Sequence, residues 1–316
     1  MNAKIRPVRP SDLEFILEIS KQTWGGFDYL PNVIGEWLKN SDSHTYGVEA
    51  DKKLVALANL RVIEGGKTGW MEGLRVHTDY RGKGFASLLT EYVIDKGKKQ
   101  KVDRLRYTTG SDNEASLKLA SKHGFSQILE MGVFWHPNLK VESPSISYPS
   151  ARKQDPPKVY TLLQENPSLI PNNTLVYDWK ALDISLQSLT TIAKTHRLYA
   201  ALKKGRIDSL SLAYPRPHRK SRIWITTIYA KEPVSFFAQL DHNMTEAQKE
   251  GCKAMMCTYR TELEKNLLDA KIVSNRRWRT HLVLLERLLR SGDATRSSKK
   301  CIRLASTQRK PRRPRK

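Results

Sequence analysis

The chain has 316 residues, comfortable for two domains, and its 39% hydrophobic content, with 7 Trp, 12 Tyr and 7 Phe, supports real cores. It has no run of about 18 apolar residues, which excludes a membrane-spanning helix. Its three cysteines, Cys252, Cys257 and Cys301, form neither a disulfide framework nor a zinc set, and the net charge is +23.

Residues 4–8 read as a first strand. The N-terminal stretch Met1-Asn2-Ala3-Lys4 lacks the apolar segment of a signal peptide, so a reducing, cytoplasmic protein is expected. Pro10-Ser11-Asp12 caps a helix that runs to about Lys21, with Leu13, Ile16 and Leu17 on one face. Residues 23–31 form a loop rich in glycine and aromatics, and a helix follows over 32–39. Strands are expected at 45–50 and 54–63, joined by a turn at Asp51-Lys52-Lys53. Glu64-Gly65-Gly66-Lys67 then turns into a strand over 70–77.

Arg81-Gly82-Lys83-Gly84-Phe85-Ala86 links that strand to a helix over 87–98. Such a turn bares backbone N–H groups at the positive end of a helix, a seat for phosphate or pyrophosphate. At Gly82 and Gly84 the missing Cβ lets an anion approach the backbone. The stretch is no Walker loop, because Gly82-Lys83 is not followed by Ser or Thr. It is no dinucleotide fingerprint either, because the third glycine is absent. A strand at 104–109, a helix opened by Asp112 or Asn113 and closed by Gly124, and a strand at 125–135 complete the first half.

Arg81, Gly84 and Ala86 fill an Arg/Gln-x-x-Gly-x-Gly/Ala pattern, which resembles the acetyl-CoA pyrophosphate loop of the GNAT acetyltransferase superfamily. The segment from Asn113 to Phe125 is similar to that superfamily's N-x-x-A-x-x-L-Y-x-K-x-G-F signature. The resemblance implies an α/β (α+β) fold, with a mixed, mostly antiparallel central sheet flanked by helices. It also implies acetyl-CoA as co-substrate; no metal is expected. The cofactor-binding residues it implies are Leu74, Arg75 and Val76, through the backbone, then Arg81, Gly82, Lys83, Gly84, Phe85, Ala86 and Asn113. The family's tyrosine, which protonates the leaving thiolate, aligns with Ala120. The proton source is then another residue, such as Tyr107 on the neighbouring strand, or water. A thiol of pKa ~8.5 leaves well enough that a dedicated acid is not essential.

Strand alternation puts Glu72, Leu74 and Val76 on one face, so Glu72 is expected among apolar groups, partly desolvated. It is the candidate base, or the group that holds the acceptor's ammonium. Trp24, Phe27, Asp28 and Tyr29, in the loop that roofs the acceptor pocket of this fold, are candidate substrate contacts, with His44 and Tyr46 on the adjoining strand.

Residues 1–140 are therefore read as the acetyl-CoA-binding domain and the Pro-rich stretch 141–157 as a linker. Residues 158–290 are read as a second, degenerate GNAT-like module. Strands are expected there at 158–163, 174–179, 198–203, 207–214, 223–229 and 279–286, and helices at 186–195, 233–249 and 258–269. Its counterpart of the phosphate turn, Ala230-Lys231-Glu232-Pro233, has no glycine, carries a repelling carboxylate and loses an N–H at Pro233. Residues 291–316 carry ten of the Lys and Arg residues against one acid, Asp293, and are read as a disordered tail. Such a tail either contacts a polyanion or nucleic acid weakly or simply solubilises the protein.

Asp28-Tyr29-Leu30-Pro31, Trp37, Glu72-Gly73-Leu74-Arg75-Val76 and the second module together resemble the histidine N-acetyltransferase group. The resemblance implies transfer of acetyl from acetyl-CoA to the α-amine of a small molecule, a free amino acid such as histidine. A protein or peptide amine, and a non-catalytic CoA- or nucleic-acid-binding role, are the alternatives.

Overall fold

The computed structural model describes residues 3–26, 28–137, 139, 148–218, 221–273 and 279–289. The chain divides into two compact units, residues 1–105 with 288–316, and residues 106–287.

The first unit contains β1 (Ala3–Pro7), α1 (Leu13–Lys21), α2 (Leu30–Trp37), β2 (Ser43–Ala50), β3 (Lys53–Ile63), β4 (Thr68–Val76) and α3 (Phe85–Lys99). The strands pair antiparallel in the order β1-β2-β3-β4. One sheet face packs α1 and α2 through Val8, Ile16, Ile19, Leu30, Ile34, Trp37, Leu54 and Leu57. The other face packs α3, where Tyr46 of β2 meets Tyr92 edge-on. The face expected of α1 is rotated. Ile16 and Ile19 are buried, whereas Leu13 and Leu17 are exposed.

The second unit takes up most of β5 (Arg104–Gly110) and β14 (Arg279–Leu288). Between them lie α4 (Glu114–Lys122), β6 (Ser126–His136), β7 (Arg152–Gln154), α5 (Pro156–Glu165), β8 (Thr174–Tyr177), β9 (Lys180–Asp183), α6 (Leu186–Ala193), β10 (Arg197–Lys203), β11 (Arg206–His218), β12 (Ser221–Ala230), α7 (Pro233–Lys249), β13 (Ala254–Arg260) and α8 (Glu264–Asp269). The strand order is β5-β14-β6-β13-β12-β11-β10-β7, with β8–β9 a separate hairpin. Strands β12 and β13 are parallel, with α7 as the crossover that a parallel pair requires.

Two elements differ from the sequence reading. Residues 158–163 are helical, not a strand. Asp155 accepts from the Lys158 amide at 2.9 Å, Pro156 and Pro157 occupy the first turn, and Val159, Leu162 and Leu163 are buried at helical spacing. Residues 258–269 are the end of β13 followed by α8, because Thr258 and Tyr259 are buried in the ladder beside β6.

The compact units part at Leu105/Arg106; the stretch 141–157 lies within the second unit. Part of that stretch, 141–147, lies outside the described residues; the rest holds β7, paired with β10, and the start of α5. The unit boundary follows the pairing of β6, which lies between β13 and β14. The last strand of the N-terminal half is thereby sewn into the C-terminal half.

Gly132 is the tight point of that seam. It faces Tyr259 across one edge and His281 across the other, and a Cβ on it would lie 2.2 Å from Cζ of the buried Tyr259. Gly132→Ala is expected to cost about 1–3 kcal/mol by overpacking, read as a lower denaturation midpoint.

His281 adds a pH dependence. Its Nε2 lies 2.8 Å from Glu264, its Nδ1 bonds Glu130, and Arg279 also reaches Glu264 at 2.7 Å. Desolvation opposes the charged imidazole, but the two carboxylates outweigh it and raise the pKa above 6.5. The stabilisation is therefore complete below the ordinary histidine pKa and is lost as pH rises through the raised one. Urea midpoints of wild type minus His281→Asn are expected to shrink from pH 6 to pH 9.

Candidate functional site

The turn after β4 has the geometry the sequence implies. Gly82 and Gly84 adopt φ +73° and +83°, the left-handed region, and a Cβ added at either would meet nothing within 4 Å. Gly84 is the N-cap of α3, a 15-residue helix with no acidic residue in its first turn. The first intrahelical bond runs from the Leu88 amide to the Gly84 carbonyl at 3.0 Å. The amides of Phe85 and Ala86, ahead of it, find no acceptor among the described residues. Arg81 and Lys83 are exposed beside them. Arg81 Nε donates to the Val76 carbonyl at 3.3 Å, and Lys83 lies 4.7 Å over the Tyr80 ring. An open cradle of amides with two cations and the positive end of a helix fits a pyrophosphate.

The strand leading there is not regular. Glu72 pairs with Asn59 and Arg75 with Leu57, so Gly73 and Leu74 together oppose Ala58. This β-bulge depends on Gly73, at φ +69°, where a Cβ would lie 2.6 Å from the Trp37 ring. The bulge corrects the expected alternation. Glu72 shares its face with Arg75, on the α1/α2 side, rather than with Leu74 and Val76. The bulge leaves Gly73 and Leu74 out of the β3–β4 register, whereas Arg75 and Val76 stay paired with Leu57 and Ala56.

Glu72 is paired rather than left among apolar groups. Its side chain is 10% exposed, and Oε1 accepts from Asn59 Nδ2 at 3.1 Å, Arg61 Nε at 3.2 Å and Arg61 Nη2 at 3.1 Å. Asn59, fully buried, is oriented in turn. Its Oδ1 accepts from Ser43 Oγ at 3.0 Å and Thr45 Oγ1 at 2.9 Å. The sequence reading passed over Asn59 and Arg61. The signal was there, since polar residues alternate with apolar ones along β3 from Ala58 to Arg61.

Asp28 is likewise committed. Its buried carboxylate takes a fork from Arg75, Nε at 2.9 Å and Nη2 at 2.8 Å, with Ser20 Oγ at 3.3 Å. Desolvation works against the Arg75 charge, but Asp28 outweighs it and holds the pKa above the ordinary value. The Arg75 side chain is thus committed to Asp28, and Asp28 is not free to bind an amine. The guanidinium lies 4.4 Å from the centroid of Trp24 and 5.3 Å from that of Tyr29. Trp24 stacks on Tyr29 at 6.3 Å and is 58% exposed. Desolvation of the Tyr29 hydroxyl pushes its pKa up to about 12, although the residue as a whole is 39% exposed. The structure therefore gathers Trp24, Asp28, Tyr29, Glu72 and Arg75.

His44 and Tyr46 are not with them. Both pair across to the opposite face, where His44 meets Gln100 at 3.4 Å and Tyr46 packs on Tyr92 and Lys96 of α3. Their expected substrate contact is corrected on that ground. Phe27 lies outside the described residues, as does the basic tail 291–316 with any polyanion contact expected of it. In the second unit, the Asn113 side chain caps α4 by accepting from the Ser116 amide at 3.2 Å. The Tyr107 hydroxyl donates to the Ser116 carbonyl at 3.4 Å, and desolvation raises its pKa. Among the described residues there is no metal-binding cluster and no helix long and apolar enough to cross a membrane.

Residues 13–125 match the Acetyltransferase (GNAT) family model. The chain is 29% identical over 186 residues to a histidine N-acetyltransferase of Xenopus tropicalis, covering 54% of this chain and 56% of that one. A histidine N-acetyltransferase of Oreochromis niloticus is 28% identical over 206 residues, 58% and 60% of the two chains. The chain thus spans little more than half the length of these curated relatives. Among solved structures, a GCN5-related N-acetyltransferase from Sphaerobacter thermophilus aligns with TM-score 0.61 at 13% identity, over 91% of this chain and 96% of that one. Another from Kribbella flavida gives TM-score 0.51 at 13% identity, over 91% and 71%. These alignments establish the fold, mixed and mostly antiparallel with flanking helices.

Proposed function

We propose that the chain is an acetyl-CoA-dependent N-acetyltransferase whose acceptor is the amine of a free amino acid such as histidine. The observation that carries this reading is the open glycine turn at the start of α3, which presents unbonded amides where a pyrophosphate would sit. Acetyl-CoA supplies a thioester carbonyl, activated towards attack by an amine. The protein's part is to place that carbonyl against the interrupted edge of β4, receive the acceptor and remove a proton from the attacking nitrogen. In the transfer the nitrogen–carbon bond forms, the carbon–sulfur bond breaks, the nitrogen's proton goes to Glu72, and the thiolate is protonated by Tyr107 or water. The aromatic wall of Trp24 and Tyr29 over Arg75 suits a planar side chain such as imidazole. The names of the curated relatives support the acceptor class.

In the second unit, β10-β11-β12-α7-β13-α8-β14 repeats the order β2-β3-β4-α3-β5-α4-β6. Its turn into α7 has Glu232 as N-cap and Pro233 in the first turn. Such a turn repels a phosphate, which supports reading this half as a degenerate module with a structural role. The test is release of CoA thiol from acetyl-CoA across free amino acids, their amides and short peptides. Release with free amino acids supports the proposal, and release with peptides alone overturns the acceptor class.

A further inference from the structure

We infer that the Arg61–Glu72 pair is the receptor for the acceptor's α-carboxylate and α-ammonium together, an inference that rests on the acceptor class proposed above. An arginine and a carboxylate usually match as a fork, two nitrogens on two oxygens. Here Arg61 Nε and Nη2 both reach the same oxygen, Glu72 Oε1, at 3.2 and 3.1 Å, and Asn59 Nδ2 takes a third place on it at 3.1 Å. Glu72 Oε2 has no partner among the described residues. Among the described residues Arg61 Nη1 has only Glu36 near it, at 3.9 Å, beyond hydrogen-bond reach, and that side chain is 67% exposed.

One anionic and one cationic valence are thus left open side by side. Both belong to side chains of low exposure, 10% and 21%. Unmet charge there is costly in the empty site and rewarding when a ligand meets it. An α-amino acid carries the complementary pair, ammonium and carboxylate, on one tetrahedral carbon. Asn59 sets the polarity. Ser43 and Thr45 both donate to its Oδ1, which fixes Nδ2 towards Glu72 and commits Oε1, so that Oε2 is the oxygen left to the ligand. An amine without the adjacent carboxylate, such as a lysine side chain, a peptide N-terminus or a decarboxylated amino acid, satisfies only half of this receptor.

The test is equilibrium binding by calorimetry to the CoA-loaded protein, with histidine, histidinamide and histamine as probes and a panel of other free amino acids beside their amides. The wild type is expected to bind a free amino acid roughly tenfold to a hundredfold tighter than its amide, the worth of a charge-assisted hydrogen bond. Arg61→Gln is expected to erase most of that ratio while leaving binding of the amide and of histamine within a few-fold. Arg61→Lys, which keeps the charge, recovers part of it. Equal affinity for acid and amide in the wild type overturns the inference, as does binding of no free amino acid or a uniform loss for all probes in Arg61→Gln. Acetyl transfer that ignores the carboxylate would sink this inference and leave N-acetyltransferase activity standing. Carboxylate-dependent binding without transfer would do the reverse.

Discussion

Gly84→Glu is expected to abolish acetyl-CoA binding while leaving the fold intact. Gly84 caps α3 at φ +83°, and nothing in the chain lies within 4 Å of where its Cβ would stand. Any side chain there points into the space the pyrophosphate needs, and a carboxylate adds like-charge repulsion. The amides of Phe85 and Ala86 would then face a resident anion instead of the ligand. Losing two or three charge-assisted contacts of about 1.5–3 kcal/mol each lowers affinity by roughly a hundredfold or more. The cost to the fold is smaller. A left-handed non-glycine residue costs about 1–2 kcal/mol, and a negative charge at a helix N-terminus returns about 0.3–1 kcal/mol. Gly84→Ala separates the two effects, since it brings the strain without the charge. Calorimetry of acetyl-CoA binding decides the matter, and an unchanged affinity in Gly84→Glu would refute the cofactor assignment outright.

The glycine turn is legible in the sequence because both its requirements are local. A positive φ needs glycine, and a helix start leaves amides bare. The antiparallel order of β2 to β4 is legible for a similar reason, since alternation and short turns fix it. What the sequence hides is long-range. Asp28 reads as a free carboxylate until Arg75, forty-seven residues on, is seen to hold it. Glu72 reads as a carboxylate among apolar neighbours until Gly73 breaks the strand's period. A glycine inside a strand is a known sign of a bulge, and here it moves Arg75 onto the face of Glu72. His44 and Tyr46 fail by one step of the same period, since neighbours on a strand face opposite ways. The seating of β6 between β13 and β14 has no local signature, because a strand's own pattern does not say which chain segment will flank it. Helix α5 was within reach, since Asp155-Pro156-Pro157 is a helix start as much as a linker, and the buried spacing of Val159, Leu162 and Leu163 decides between them.

Glu72→Gln is expected to lower kcat about 10²- to 10⁴-fold, the usual worth of a positioned general base. The substitution keeps the side chain's size, and an amide oxygen still accepts from Asn59 and Arg61, so the bulge and Gly73 against Trp37 are undisturbed. The glycine turn lies beyond the bulge, so acetyl-CoA affinity is expected to hold. The two roles open to Glu72 part in the kinetics. If it only removes the proton, KM for the acceptor stays and kcat falls. The loss is then repaired in part as pH rises towards the acceptor's amine pKa, where solvent has already taken the proton. If it also holds the ammonium through Oε2, KM rises as well, because a glutamine offers that position a neutral group in place of a charge. A wild-type rate at neutral pH removes Glu72 from the chemistry and leaves its hydrogen bonds to Asn59 and Arg61 as structure alone. The pH profile carries the most weight here, since a general loss of packing would depress the rate alike at every pH, whereas a missing base is replaced by hydroxide as soon as the amine is free.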